Sequence, residues 1–155
     1  MKKLHLLLVI LIGINLNNCS SDDNDNNSQD PIVGVWNEVR VVDIVDSGTF
    51  IEVSDACEVQ NSQTFNSNQS YAFKLYDNEF GDCVYLLESI QGNWSRNGDF
   101  YDINYTYRDV TTGNEFDSNE FVEYDQREIL IENDTLKIKY TFNSPYNLTI
   151  IEYTK

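Results

Sequence analysis

Carboxylates, cysteines, tyrosines and tryptophans are the residues of this 155-residue sequence that could do chemistry. Asp and Glu number 26 against 10 Lys and Arg, for a formal charge of -16. A hydrolase built on paired carboxylates needs two carboxyls at a set separation with their pKa values driven apart. Asp99, Asp102, Glu120, Glu123 and Glu128 are available for that role. No spacing along the chain guarantees a meeting between residues of different strands, and these acids read as the solvated outer face of the domain. So negative a chain also repels phosphate backbones, so no nucleic-acid partner is expected.

The only histidine, His5, sits in the opening stretch MKKLHLLLVILIGINLNNC, which has two lysines, an apolar run from Leu6 to Ile12 and no acid. This is the pattern of a secretory signal peptide over residues 1–18, too short and too interrupted for a spanning helix. Its removal takes away the imidazole, which excludes Ser-His and Cys-His nucleophile pairs and zinc sites with His ligands. No catalytic residue, metal or cofactor is expected. Residues 19–30 contain SSDDNDNNSQD, with nothing apolar to bury, and read as a flexible acidic tether. Asp22, Asn24 and Asn26 have the alternate spacing of a calcium loop. Asn27 and Val33 stand where its turn glycine and closing glutamate belong, so calcium is not expected.

Leu16-Asn17-Asn18-Cys19 resembles a bacterial lipobox, in which the Cys becomes the acylated N-terminus. The resemblance implies lipidation of Cys19 and attachment to a membrane through that lipid. Cys57 and Cys83 remain, and in an exported protein they read as a disulfide. It would close a loop of about 26 residues and stabilise the fold by roughly 3 to 4 kcal/mol. A pair of buried thiols is the alternative. The Cys-x-x-Cys spacing of a redox motif is absent.

The elements that must position these side chains have a period of two. Leu136, Ile138, Tyr140 and Phe142 alternate with Lys137, Lys139 and Thr141. Tyr101, Ile103, Tyr105 and Tyr107 alternate in the same way with Asp102, Asn104, Thr106 and Arg108. Each run predicts a strand with one buried and one wet face. Tyr71, Phe73 and Leu75 repeat the pattern, and Ser54 to Asn61 has room for one short helical turn. Asn97-Gly98 predicts a two-residue hairpin loop with positive φ at both positions, and Asn133-Asp134 marks another turn. About eight to ten short strands follow, with no segment long enough for a parallel crossover helix. The fold class is all-β, an antiparallel up-and-down barrel, with a β-sandwich as the alternative.

Taken in order, Cys19 with its Ser-Asp tether, Gly34-Val35-Trp36, Cys57, Phe65, Asn68, Cys83 and Gly92-Asn93-Trp94 resemble the lipocalin-like lipoproteins of Bacteroidetes. The resemblance implies a lipocalin-like barrel domain over residues 31–155, with Gly34 and Trp36 as the barrel-end motif. It also implies an outer-membrane location, and Ser21-Asp22-Asp23 resembles the signal that sends such lipoproteins to the cell surface.

Trp36 itself reads as a core aromatic. Trp94, Tyr101, Tyr105 and Tyr107 are the candidates for lining a cavity, where ring faces would stack on a small apolar or glycan-like ligand. The expected function is non-enzymatic ligand binding. The alternative is a cell-surface interaction module whose charge favours a basic protein partner.

Overall fold

A computed structural model of the chain describes residues 29–79, 82–118, 126–142 and 146–155. The stretch read as a signal peptide, Cys19, most of the stretch read as a tether, Glu120 and Glu123 lie outside the described residues.

Among the described residues, alternating side chains give ten strands, accompanied by a turn of 3-10 helix, Glu58–Gln60. The first strands are β1 (Gly34–Val45), β2 (Gly48–Val53), β3 (Ser62–Phe65), β4 (Tyr71–Glu79) and β5 (Asp82–Asn97). They are followed by β6 (Phe100–Asp109), β7 (Glu115–Asp117), β8 (Gln126–Glu132), β9 (Thr135–Thr141) and β10 (Tyr146–Thr154). All belong to one antiparallel sheet, in the order β7-β6-β5-β4-β3-β1-β10-β9-β8, with β2 branching from β1. Most chain neighbours pair, β1 joins the two arms of the sheet by lying between β3 and β10, and β7 and β8 are its two edges. All six residues of β2 are exposed, so that strand extends β1 outward and adds nothing to the interior.

The sheet curls into a half-barrel until its arms meet. Arg127 Nη2 on β8 donates to the Ile103 carbonyl on β6 at 2.8 Å. Register shifts fall between Glu38 and Arg40, between Leu75 and Tyr76, and between Ser89 and Gln91. Such irregularities bend a strand and increase its twist, which is what curling a sheet requires. One curled sheet replaces the two stacked sheets of the β-sandwich alternative.

The concave face is the core. On β6, Tyr101, Ile103 and Tyr107 are buried while Asp102, Asn104 and Arg108 are exposed, as the alternation predicts. On β9, Leu136 and Ile138 are buried. The strongest turn prediction moves by one residue. Asn97 is still paired with Phe100, so the β5–β6 loop is Gly98-Asp99, and of Asn97 and Gly98 only the glycine has positive φ, at 65°. The two consecutive positive values occur instead at Asn133 (51°) and Asp134 (60°), the two-residue loop joining β8 to β9.

The link between β2 and β3 is held by Asp55 and a disulfide. Asp55 Oδ1 accepts from the backbone N–H of Cys57 at 2.7 Å and of Glu58 at 2.9 Å. Cys57 and Cys83 are bonded, with 5.3 Å between their Cα atoms, so the thiol alternative falls and the helical turn is tied to β5.

Candidate functional site

One end of the half-barrel is sealed by the chain that enters it. Ile32 is fully buried, and the Trp36 indole N–H donates to its carbonyl at 2.7 Å. Asp30 Oδ1 accepts from the Ile32 N–H at 3.1 Å and from the Tyr101 hydroxyl at 2.8 Å. Arg96 lies 3.4 Å from the other oxygen of Asp30. From the far end of the chain, Lys155 donates to the Pro31 carbonyl at 2.8 Å, its ammonium 4.5 Å from the centre of the Trp36 ring. Gly34 has φ of 149°, and a Cβ there would meet Lys155 Cε at 2.9 Å. The Gly-x-Trp spacing thus has a local cause: the glycine makes room for the lysine stem that covers the tryptophan.

Trp94 and Tyr101, grouped in the sequence with the ligand-lining candidates, are built into this closed end. The Trp94 indole donates to the Asn66 carbonyl at 3.0 Å, and its ring stands edge-on to Phe65 and Tyr101, with centroids 6.2 and 6.0 Å away. Burial, and then the hydrogen bond to Asp30, pushes the Tyr101 hydroxyl up to about 12. A polar groove of about 780 Å³ runs along the outside of this end past Asp30, Trp94 and Arg96. Val33 and Trp94 are the apolar members of a lining that is otherwise polar.

Tyr105 and Tyr107 point toward the other end, where the curled sheet leaves a cup of about 230 Å³. Phe73, Leu75, Leu87 and Ile151 complete its apolar wall. The Phe73 and Tyr105 rings meet edge to face at 5.1 Å, and Phe73 and Tyr107 are tilted at 6.2 Å. Polar atoms come from Glu38, Gln63, Tyr140 and Tyr153. The Gln63 amide holds two tyrosines: its oxygen accepts from the Tyr71 hydroxyl, and its nitrogen donates to Tyr153 Oη at 3.2 Å. Burial raises both of those hydroxyls well above 10, so they stay neutral.

Glu38 is the residue that sequence reasoning passed over. It is 5 % exposed, inside the half-barrel beside its cross-strand partner Tyr153. Its Oε1 accepts from Ser54 Oγ at 2.8 Å and its Oε2 from Asn61 Nδ2 at 3.0 Å. Asn61 is held in turn, its side-chain oxygen accepting from the Tyr76 N–H at 2.6 Å. Burial raises the Glu38 pKa above 4.5 against the two hydrogen bonds, which lower it, and the Glu58 carboxylate adds to the rise. A signal was present: Glu38 stands two residues after Trp36, on the same face of a strand with period two.

Of the carboxylates considered for hydrolysis, Asp99, Asp102 and Glu128 belong to the described residues. All three are exposed, with Asp102 and Glu128 on the wet faces of β6 and β8. Among the described residues no group of three His, Cys, Asp or Glu side chains is arranged to hold a metal ion.

Residues 32–126 match the family described as the lipocalin-like domain. Neither the curated proteins nor the solved structures contain a match to this chain.

Proposed function

The chain belongs to the lipocalin-like domain family, and on that footing we propose that it holds a small, largely apolar molecule in the cup between β4, β5, β6 and β10. The observation that carries this reading is the cup itself: aromatic and aliphatic walls with a few convergent polar atoms at one end of a sheet whose other end is sealed. Its volume limits the guest. A cavity of about 150 Å³ holds a benzene ring, so 230 Å³ admits one ring with a short side chain. A single sugar ring is the largest glycan-like piece that could enter whole.

The test is a panel of single-ring aromatics, short-chain alcohols and monosaccharides, followed by amide and methyl chemical shifts. Saturable shifts confined to residues around Tyr107 and Ile151, and lost in Leu87→Trp, are the expected result. If every compound leaves those shifts unchanged, the cup is not a binding site.

The family match supports a binding fold and not catalysis. The lipobox-like Leu16-Asn17-Asn18-Cys19 supports anchorage of the domain at the outer membrane through a lipid on Cys19. Labelled palmitate should be incorporated by the full chain and not by Cys19→Ser, with the variant released from the membrane fraction. The charge of -16 favours a second reading, a surface module for a basic protein partner. Capture from envelope extracts that is unchanged between low and high salt would count against that version.

A further inference from the structure

The cup holds a buried carboxylate with acceptor capacity to spare, and from this we infer that its guest is an amine whose ammonium pairs with Glu38. The inference rests on the reading of the cup as a binding site. A carboxylate has about four lone-pair positions, and the described residues fill one on each oxygen of Glu38, from Ser54 and from Asn61. None of the ion pairs among the described residues includes Glu38. A buried carboxylate without a cation is costly, and this one lines the wall of a cavity rather than closing against the core.

The surroundings suit the same class of guest. Tyr107, Tyr140 and Tyr153 line the cup with Glu38, as does Tyr105, whose ring already has the Arg127 guanidinium 5.8 Å from its centre. Tyrosine faces attract a cation through the ring quadrupole, most strongly where water is excluded. Ser54 and Asn61 hold the carboxylate in place before a ligand arrives, so little ordering is needed on binding. An anion of the same size would meet the Glu38 charge. A neutral alcohol could donate one hydrogen bond to Glu38 but would bring no charge to it. The specificity of the cup therefore lies in Glu38, and the class of ligand is a primary amine on a single ring or a short apolar chain.

Calorimetric titration of the full chain at neutral pH with phenethylamine, phenethyl alcohol and 3-phenylpropionate tests this. Phenethylamine should bind at least tenfold more tightly than the alcohol, and phenylpropionate more weakly than either. Glu38→Gln should bring the amine to the level of the alcohol. If Glu38→Gln does not fold, the ranking of the three compounds on the unaltered protein decides alone. Equal binding of amine and alcohol overturns the role of Glu38 and leaves the cup as an apolar site. Binding of none of the three overturns both.

Discussion

Gly92 of β5 lies against Tyr71 of β4 so closely that a Cβ on the glycine would stand 2.6 Å from the Tyr71 carbonyl oxygen and 2.9 Å from its ring. Tyr105 Cβ, on the neighbouring strand, would be 3.2 Å away. The contact sits just past the Ser89/Gln91 irregularity, where β5 turns from β4 and the half-barrel tightens. Backbone, not a movable side chain, is what blocks the space. Gly92→Ala should cost about 1 to 3 kcal/mol by overpacking, read as a lower urea midpoint in Trp fluorescence. An unchanged midpoint would mean that β5 can move off Tyr71 freely.

Trp36 both fills the closed end and satisfies the Ile32 carbonyl. Trp36→Phe keeps a ring and removes the donor, leaving a buried acceptor at a cost of about 1 to 3 kcal/mol. Trp36→Ala adds a cavity and should cost about 3 to 5 kcal/mol. Chemical denaturation of both variants ranks the two terms. A phenylalanine variant as stable as the parent would remove the hydrogen bond from the account.

The disulfide constrains the segment that positions Ser54 and Asn61 under Glu38. Replacing Cys57 and Cys83 together by Ala should cost about 3 to 4 kcal/mol on the chain-entropy estimate. Alkylation of denatured, unreduced protein followed by peptide mapping should label neither cysteine. Label on either one would contradict the bond.

For Glu38 the sign of the pH effect follows from burial. Its folded pKa is raised above 4.5, so the native state holds this proton more tightly than the unfolded chain does. The stability it contributes is complete below about pH 4.5 and is lost as pH rises through the raised value. Asp55, Glu88, Asp109 and Glu132 are shifted downward by their hydrogen bonds and act in the opposite sense at acid pH. Subtracting Glu38→Gln from the parent cancels those groups. The variant's stability relative to the parent should therefore rise as the pH is raised from about 4.5 through the folded pKa of Glu38. Differences that stay flat across that range would show that Ser54 and Asn61 fully offset the burial.

Much of the fold was legible because strand signals are local. The alternation of Tyr101, Ile103, Tyr105 and Tyr107 with polar residues needs no knowledge of what the strand packs against, and β6 follows it. Asn97-Gly98 misled by one position because a turn dipeptide marks a hairpin without stating which residue pairs last, and Asn97 pairs with Phe100. Of the four aromatic candidates for the cavity, Tyr105 and Tyr107 line it, while Trp94 and Tyr101 are packed at the closed end. One strand face spans both ends of the half-barrel, and nothing in its pattern marks where the seal stops.

By itself the sequence determined the all-β class and the inward face of β6, which follow from residue type and period along a single strand, and it offered Cys57 and Cys83 as partners because two cysteines remain after Cys19. Only the tertiary structure decided that Glu38 faces a cavity. That outcome depends on β1 pairing with β10 at Tyr153 and on the irregularity between Glu38 and Arg40. It depends as well on the disulfide-tied turn that brings Ser54 and Asn61 to the carboxylate. Contacts between residues so far apart along the chain exist only once the sheet has curled, because it is the curl that sets one strand's inner face against another's.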